Sequence, residues 1–296
     1  MWKLRSGAIL ATVAGLAAGS AQAADLYEPE VVMPPPAEPV YVEPAPEVGV
    51  SWYIRGDVGY SVNELRGVHF MQGTGAPHVA DVSFTSSRLD NSWMVGGGVG
   101  VNISRHLRAD LTLDYLTKAN FRGSTAGDCS IGGVYGNACT SIDTASMSAL
   151  VVLANAYVDI GTWHGFTAYV GGGIGGAHVK WSKLANLIEP GYDQSGTTYH
   201  HGRSGMRFAY ALTAGASYCL TESLELDASY RYTRVSGGDM FAYANGGGPG
   251  WDRGLDSHAV RAGLRYSFGG AGGSPRCAPE PQVVHYQPDP LPPVYK

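Results

Sequence analysis

Acidic and basic residues recur close together within short hydrophobic runs of this chain. One run contains Arg108, Asp110 and Asp114, and another contains Glu225 and Asp227. Paired carboxylates are the usual apparatus of general acid–base catalysis, because one can donate a proton while the other accepts one. The same residues can instead pair with arginines to form a structural network. The full set is Arg55, Asp57, Arg108, Asp110, Asp114, Asp159, Arg207, Glu225, Asp227, Arg231, Arg261 and Arg265.

Histidines are the second group with chemical potential, because imidazole can ligate haem iron. His69, His78, His200 and His201 lie in the long segments between the hydrophobic runs. These four are the candidate haem ligands of the chain. The alternative is that polar loops simply contain histidine.

The hydrophobic runs have the period of a β-strand, because apolar and polar residues alternate along them. In the last run the even-numbered residues are mainly apolar, and the odd-numbered ones are small or basic. Such alternation, repeated at strand length, predicts a transmembrane β-barrel with a lipid-facing exterior and a polar interior. The predicted strands are 52–63, 93–103, 107–115, 150–160, 166–181, 207–219, 224–232 and 257–268.

The gaps between these runs alternate long and short, as expected for extracellular loops and periplasmic turns. We therefore predict an all-β fold, an eight-stranded antiparallel up-and-down transmembrane β-barrel with disordered proline-rich tails. Aromatic residues should form a girdle at each membrane interface. One girdle is expected to contain Trp93, Tyr115, Trp181, Phe208 and Tyr232.

In this register all twelve charged residues face inward, six arginines against six acids. The interior of an eight-stranded barrel is just wide enough for side chains to fill. A balanced set predicts an ion-paired core rather than an open channel, since one unpaired charge there costs several kcal/mol. A filled barrel gives a substrate no access, which disfavours the acid–base interpretation. The chain also lacks a recognisable Ser/His/Asp spacing, so it is not expected to be an enzyme or to need a cofactor.

The ends of the chain differ from this central part. Residues 1–23 predict a secretory signal peptide, with basic residues, a short apolar run and Ala21-Gln22-Ala23 before the cleavage point. Residues 24–50 hold seven prolines, six acids and no Lys or Arg, which predicts an extended periplasmic tether. The barrel is then 51–268, and 269–296 is a proline-rich periplasmic tail. The low charged fraction, 15%, gives no indication of nucleic-acid binding.

Export places the four cysteines in an oxidising compartment. Cys129 and Cys139 lie ten residues apart in a long segment, which predicts a disulfide that closes its tip. In the chain-entropy model, a disulfide that closes a loop of this size contributes roughly 3 kcal/mol to the free energy of unfolding. A metal site is the alternative, which two thiols without a neighbouring histidine disfavour.

The other two cysteines fall near one end of the predicted barrel. Cys219 ends the sixth strand in the inward register, and Cys277 follows the last strand by nine residues. Only one strand separates the sixth strand from the eighth, about 10 Å at the usual spacing. A disulfide between them would pin the tail to the barrel. The alternative is a buried thiol at Cys219 and an unpaired thiol at Cys277.

The chain resembles the small outer-membrane β-barrel proteins of alphaproteobacteria. The resemblance rests on Ala24-Asp25 after the leader, the Pro/Glu-rich tether, the motif Ser51-Trp-Tyr-Ile-Arg-Gly-Asp-Val-Gly-Tyr60 and the final Tyr266-Ser-Phe268. Such proteins are described as porin-like, as surface antigens and in some cases as haem binders. They usually stop at the final Phe, whereas 28 residues follow it here.

This resemblance implies outer-membrane lipids and lipopolysaccharide as surroundings, with both termini periplasmic. It implies that the assembly machinery recognises Tyr266 and Phe268, and that Ala24-Asp25 can be joined to peptidoglycan. We expect a structural, envelope-stabilising and surface-exposed protein. A porin-like diffusion channel and haem or ligand binding by the extracellular loops are the alternatives.

Overall fold

The computed structural model describes residues 50–73, 80–131, 134–189, 197–244, 247–268 and 273–277, apart from the side chains of 129–135. The expected leader, the tether as far as residue 49 and most of the tail lie outside these residues. Every regular element among them is a β-strand. No helix in this part of the chain is long and apolar enough to cross a membrane.

Fourteen strands are present in the described residues. They are β1 (Ser51–Arg66), β2 (His69–Gln72), β3 (Ala80–Ser83), β4 (Ser86–Leu89), β5 (Ser92–Asn102), β6 (Leu107–Ser124), β7 (Ala126–Ile131), β8 (Val134–Trp163), β9 (Phe166–Trp181), β10 (Leu184–Glu189), β11 (Thr198–His200), β12 (Ser204–Cys219), β13 (Leu224–Phe241) and β14 (Gly247–Phe268).

Eight of these strands form a closed antiparallel ring. The order around it is β1, β5, β6, β8, β9, β12, β13 and β14, and β14 pairs again with β1. The closing seam runs from Trp52 opposite Phe268 to Arg66 opposite Gly254. A closed sheet has no free edge, so its backbone groups pair without water, as hydrocarbon surroundings require. The predicted eight-stranded barrel is confirmed.

Side chains in the ring alternate between a buried and an exposed face. Along β1, Trp52 and Val58 are more than half exposed, while Arg55 and Asp57 are less than a tenth exposed. The ring thus turns its large apolar side chains outward and its charges inward, the reverse of a water-soluble barrel. This arrangement is stable only where hydrocarbon surrounds the outer face.

The two ends of the ring are built differently. Turns at 103–106, 164–165 and 220–223 join ring strands at one end, which we call the short-turn end. At the other, the extended end, β8 reaches 30 residues and β14 reaches 22. About ten residues suffice to cross the bilayer. Six shorter strands pair with these long walls or with each other: β2, β3, β4, β7, β10 and β11. Much of the chain that the sequence analysis assigns to loops is therefore β-sheet.

The lumen toward the extended end is filled by apolar side chains. Phe121, Trp181 and Phe241 pack there with ring centroids 5.6 to 6.2 Å apart, and all three are buried. The expectation that Trp181 belongs to an outer aromatic girdle is therefore wrong. Trp181 continues the inward register of β9. It packs in this apolar layer instead of facing lipid.

Inward glycines make room for the large lumen side chains. Gly100 lies opposite Tyr53 in the pairing of β1 with β5. A Cβ atom at Gly100 would collide with the phenol ring of Tyr53. Gly56 lies on the outward face of β1, and a Cβ atom there meets nothing within 4 Å. Space inside the lumen, rather than backbone conformation, therefore requires glycine at Gly100.

We predict that Gly100→Leu lowers the free energy of unfolding by about 1–3 kcal/mol, because overpacking displaces Tyr53. Gly56→Leu is the matched control and should leave stability unchanged. The measurement is the urea midpoint of the refolded barrel, followed by its heat-modifiable migration on gels. Equal midpoints for the two variants would contradict this account of the lumen.

Candidate functional site: the charged lumen and its plug

The twelve charged residues singled out by the sequence all lie inside the ring. None is more than 9% exposed. Most of them occupy the lumen between the apolar layer and the short-turn end and form ion pairs there, whereas Arg207 pairs with Asp252 toward the extended end. The charged lumen is therefore the candidate site, because a pore would have to pass through it.

Three arginines and two aspartates form the centre of the charged lumen. Arg55 Nη2 lies 2.7 Å from Asp57 Oδ1. Asp114 receives two guanidinium groups, with Arg231 Nη1 at 2.9 Å and Arg261 Nη2 at 2.9 Å. Arg261 also approaches Asp57 at 3.3 Å, which links the two groups. Each carboxylate thus faces more than one cation.

Closer to the short-turn end, Arg265 joins two carboxylates. Its Nη1 lies 2.8 Å from Glu225 Oε2 and its Nη2 lies 2.8 Å from Asp227 Oδ2. Arg55 Nη2 reaches the other oxygen of Asp227 at 3.4 Å. Asp227 therefore links the central group, through Arg55, to the group around Arg265 nearer the short-turn end.

Arg108 is held by a carboxylate and two aromatic rings. Its Nε lies 3.2 Å from Asp159 Oδ1. Its guanidinium carbon lies 4.5 Å from the ring centre of Tyr157 and 4.2 Å from that of Tyr169. Stacked tyrosine faces stabilise a buried cation by roughly 1–2 kcal/mol. The side chain is fully buried as a result.

Arg207 departs from the predicted balance. It pairs with Asp252, outside the predicted set, at 2.7 Å and donates to the carbonyl of Asp239 at 2.7 Å. Burial raises the pKa of Asp252, and Arg207 opposes that rise. The alternation does not reveal this partner, because Asp252 lies in a segment that the sequence leaves as a loop. Without Arg207, the six predicted acids face only five of the predicted arginines.

The missing cation comes from the tail. Arg276 lies inside the barrel mouth, with Nη1 2.7 Å from Asp159 Oδ2 and Nη2 2.8 Å from Glu225 Oε1. Its Nη1 also donates to Asn102 Oδ1 at 3.2 Å. Only 7% of Arg276 is exposed. The segment Gly273–Cys277, which we call the plug, therefore completes the network.

A disulfide fixes the plug to the ring. Cys219 and Cys277 are bonded, with Cα atoms 5.7 Å apart. The amide of Ser274 also donates to the carbonyl of Glu222 at 2.7 Å, and the Ser274 hydroxyl donates to Glu225. Of the two alternatives left open for these cysteines, the structure has the disulfide. In the sequence, the pairing of Cys219 with Cys277 is the feature that indicates a position for Arg276 at the barrel mouth.

The second expected disulfide is only partly visible. Cys139 is disulfide-bonded. The side chain of Cys129 lies outside the described side chains. Its backbone pairs with Asn137, two residues before Cys139, which itself pairs with Gly127. The pairing of Cys129 with Cys139 stays a prediction.

His69 lies on the extended wall and is engaged with its neighbours. Its ring stacks on Trp251 with centroids 5.5 Å apart and planes 4° from parallel. Its Nδ1 lies 3.1 Å from Asp81 Oδ1. One ring nitrogen and one ring face are thus already used.

The other candidate haem ligands do not share this position. His200 is buried edge-to-face against Phe70 at 5.0 Å, and burial lowers its pKa. His201 is exposed, and His78 lies outside the described residues. Among the described residues, no three His, Cys, Asp or Glu side chains form a group that could hold a metal ion.

The carboxylates of the lumen are arranged for pairing rather than for proton transfer to a substrate. Asp57, Asp114, Glu225 and Asp227 each contact at least one guanidinium within 3.4 Å. Guanidinium groups so placed neutralise the charge of the carboxylates that they contact. A general acid needs a raised pKa and an open path to substrate. The geometry supplies a stable, charge-neutral filling.

A closed ring with an apolar exterior and a polar filling defines an outer-membrane β-barrel. The family model for the outer membrane protein beta-barrel domain matches residues 9–268, and the chain belongs to this family.

The chain is also similar to individual proteins. An uncharacterized protein of Brucella suis is 35% identical over 294 residues, 89% of this chain and 99% of the relative. A putative adhesin of Rickettsia bellii is 26% identical over 220 residues, 73% of this chain and 87% of the relative. The crystal structure of OprG from Pseudomonas aeruginosa aligns with a TM-score of 0.42 at 15% identity, covering 75% of this chain and 97% of that one.

We predict that Arg276→Ala destabilises the barrel by about 3 kcal/mol, because removing one partner of a buried pair leaves carboxylates uncompensated. Arg203→Ala is the matched control: Arg203 pairs with Asp239, and both side chains are at least half exposed. That change should cost less than about 1 kcal/mol. Urea midpoints of the oxidised proteins measure both, and equal losses would argue against a plug that completes the network.

Proposed function

We propose that this outer-membrane barrel is a closed, structural component of the envelope that stabilises it and carries surface-exposed walls. The observation that supports this proposal best is the filling of its lumen. An apolar layer, the ion-pair network and the plug succeed one another from the extended end to the short-turn end. Each layer is anchored to the ring, so none requires a ligand to stay in place.

One cavity between two of these layers is small. A cavity of about 20 Å³ lies where the apolar layer meets the network, beside Met94, Leu116, Asp114 and Arg231. That volume accommodates about one water molecule. A porin-like diffusion channel needs a continuous aqueous path, so the geometry favours the structural role over the channel alternative.

Haem binding by the loops has less support in the contacts. His69 is committed to Trp251 and Asp81, and His200 packs inside the apolar layer. His201 alone among the described candidates is exposed. Haem ligation by His69 or His200 would require the wall to rearrange, so these contacts do not favour that alternative.

The proposal includes an orientation. Short turns face the periplasm in barrels of this kind, so we place the short-turn end there. The chain then enters and leaves the barrel on the periplasmic side, since the start of β1 pairs with the end of β14. The extended walls of β8, β13 and β14 would rise into the medium and supply the surface-exposed part of the role.

The envelope-stabilising part of the role can run through the tether. Ala24-Asp25 lies outside the described residues and is proposed as the point joined to peptidoglycan. The tether of 27 residues would span about 80 Å if extended like polyproline.

We expect exhaustive digestion of purified sacculi to release a peptide that begins at Ala24 and carries a muropeptide remnant. Mass spectrometry of the digest detects it. The control is a variant with Ala24→Val and Asp25→Lys, which keeps the tether but alters its first residues. Sacculi free of any Ala24 peptide in the unaltered strain would rule out covalent attachment.

We expect the refolded protein to be electrically silent in planar bilayers. One variant ends the chain at Phe268 with Cys219→Ser, and another replaces Phe121, Trp181 and Phe241 by Ala. Each should leave two of the three layers in place and stay silent. Combining both sets should give brief conductance steps, since only the ion-pair layer remains.

The control combines the truncation with Trp93→Ala and Phe208→Ala, which remove outward aromatic side chains of similar size. Heat-modifiable migration shows that each variant is folded. Steady open steps from the unaltered protein would overturn the closed-barrel proposal in favour of a diffusion channel.

A further inference from the structure

A row of aromatic side chains crosses the outer face of the ring toward the extended end. Tyr60 pairs with Trp93 on one side and with Val260 on the other, and Val260 pairs with Tyr230. The three aromatic side chains of this row are each at least 45% exposed. Such aromatic girdles lie where hydrocarbon meets the lipid headgroups. Outward side chains just beyond the row therefore lie at the depth of the headgroups.

Basic side chains are concentrated at that depth. Six of them lie within seven residues of the aromatic row along β13, β14, β1, β4 and β6, and we call them the basic band. They are Arg66, Arg88, Lys118, Arg122, Arg234 and Arg253. Five of the six are exposed, and Arg234 is partly buried. The acids next to them are Glu64, Asp90 and Asp256, so the band keeps a net positive charge.

Two arginines of the band are paired with each other. Arg88 lies directly opposite Arg122 in the pairing of β4 with β6, and both side chains are exposed. Side chains in such positions have Cβ atoms about 5 Å apart, and like charges there are destabilising. Asp90 Oδ2 lies 3.7 Å from Arg122 Nη2, whereas Arg88 forms no ion pair with any residue that the structure describes. Backbone pairing holds the two cations together, and an anion between them would relieve their repulsion.

The neighbouring strands carry a second group of arginines. Arg66 Nε and Arg234 Nη1 both contact the single carboxylate of Asp256, the latter at 2.7 Å. Arg234 Nη2 also donates to the carbonyl of Arg253 at 3.3 Å. The side chain of Arg253 lies against Gly67, where a Cβ atom would approach its Cδ to 2.7 Å. One buried carboxylate thus holds two guanidinium groups, and a third lies beside them.

We propose that the basic band binds the phosphate groups of lipopolysaccharide in the outer leaflet, with Arg88 and Arg122 as the principal contacts. Guanidinium groups bind phosphate through paired, charge-assisted hydrogen bonds. The two groups of arginines stand on neighbouring parts of the wall, because the amide of Phe84 before β4 donates to the carbonyl of Val68 after β1. A glycolipid headgroup with two phosphates can therefore contact both groups. A phospholipid headgroup offers a single phosphate, which one group would satisfy.

This inference rests on the proposed function in one respect, since it places the extended end outside the cell. It also deepens that function, because a barrel that holds the phosphates of its surrounding glycolipids contributes to the cohesion of the outer leaflet. The basic band lies on the outer face of the ring, so the filled lumen takes no part in the binding.

The test uses the full mature protein, oxidised and refolded in a nonionic detergent, with diphosphorylated lipid A as the probe. Native mass spectrometry measures the bound fraction at each lipid concentration. The double variant Arg88→Gln with Arg122→Gln should bind about tenfold more weakly or less, as expected when charge-assisted hydrogen bonds are lost. Lipid A from which both phosphates have been removed should not bind.

The matched control combines Lys183→Gln with Arg203→Gln, which removes the same charge from the extended end. Both residues have partners of their own: Lys183 Nζ lies 4.4 Å from the ring centre of Tyr199, and Arg203 pairs with Asp239. The control should bind lipid A like the unaltered protein.

Urea midpoints separate binding from a structural role. Without lipid A, Arg88→Gln should be at least as stable as the unaltered protein, because the substitution removes a repulsion. Excess lipid A should raise the midpoint of the unaltered protein, since a ligand of the folded state stabilises it, and should leave that of the double variant unchanged. A lower midpoint of Arg88→Gln without lipid would make Arg88 a structural residue and overturn the proposal.

The other contrary outcomes are equally definite. The proposal is wrong if dephosphorylated lipid A binds as well as the diphosphorylated form, or if the control loses as much affinity as the double variant. Equal affinity for phosphatidylglycerol would assign the basic band to phospholipid. Binding of heparin without binding of lipid A would assign it to a soluble polyanion.

Failure of this inference is distinguishable from failure of the proposed function. A barrel that conducts in planar bilayers and still binds lipid A through the basic band would refute the closed lumen alone. A silent barrel whose double variant binds lipid A normally would refute the phosphate site alone.

Discussion

A lumen filled with side chains excludes the bulk water that would screen a charge. Each ionised group inside this barrel therefore needs a counter-charge nearby. That constraint determines much of the structure. An eight-stranded ring leaves room for side chains and little else, and an uncompensated ion there costs several kcal/mol. The arginines consequently bridge strands that are distant in sequence, as when Arg231 and Arg261 meet at Asp114. Neighbouring strands are held by backbone pairing, whereas the far walls are held by these ion pairs.

The same constraint explains why the tail belongs to the barrel. With Arg207 committed to Asp252, the inner acids lack one cation unless Arg276 enters the mouth. A guanidinium on a free tail would lose chain entropy on docking. The disulfide removes most of that loss in advance, because it holds Cys277 next to the site at all times. A residue beyond the last strand thus acts as part of the lumen.

Much of this could be predicted from sequence, for a definite physical reason. A strand in this ring has one lipid face and one lumen face, so a period of two reveals both the strands and the inward charges. The alternation even assigns Trp181 correctly. Its odd number matches the inward residues of β9, and the expectation failed because it followed the aromatic type instead. Arg276 and Asp252 lie outside the alternating runs, so no periodicity marks them. The added strands of the extended walls, such as β4 and β10, do not alternate regularly, so a period of two does not reveal them.

The three fillings of the lumen also depend on one another. The apolar layer around Phe121 and Trp181 keeps water away from the upper ion pairs, which strengthens their attraction. It also raises the cost of any imbalance among them. At the opposite end, the plug supplies the missing positive charge, because Arg276 pairs with Asp159 and Glu225. Removing the plug would leave Asp159 and Glu225 short of one cation, and removing the apolar layer would admit water that weakens the ion pairs. Closure of the barrel is therefore a cooperative property of the stack, held at one end by aromatic packing and at the other by a covalent bond.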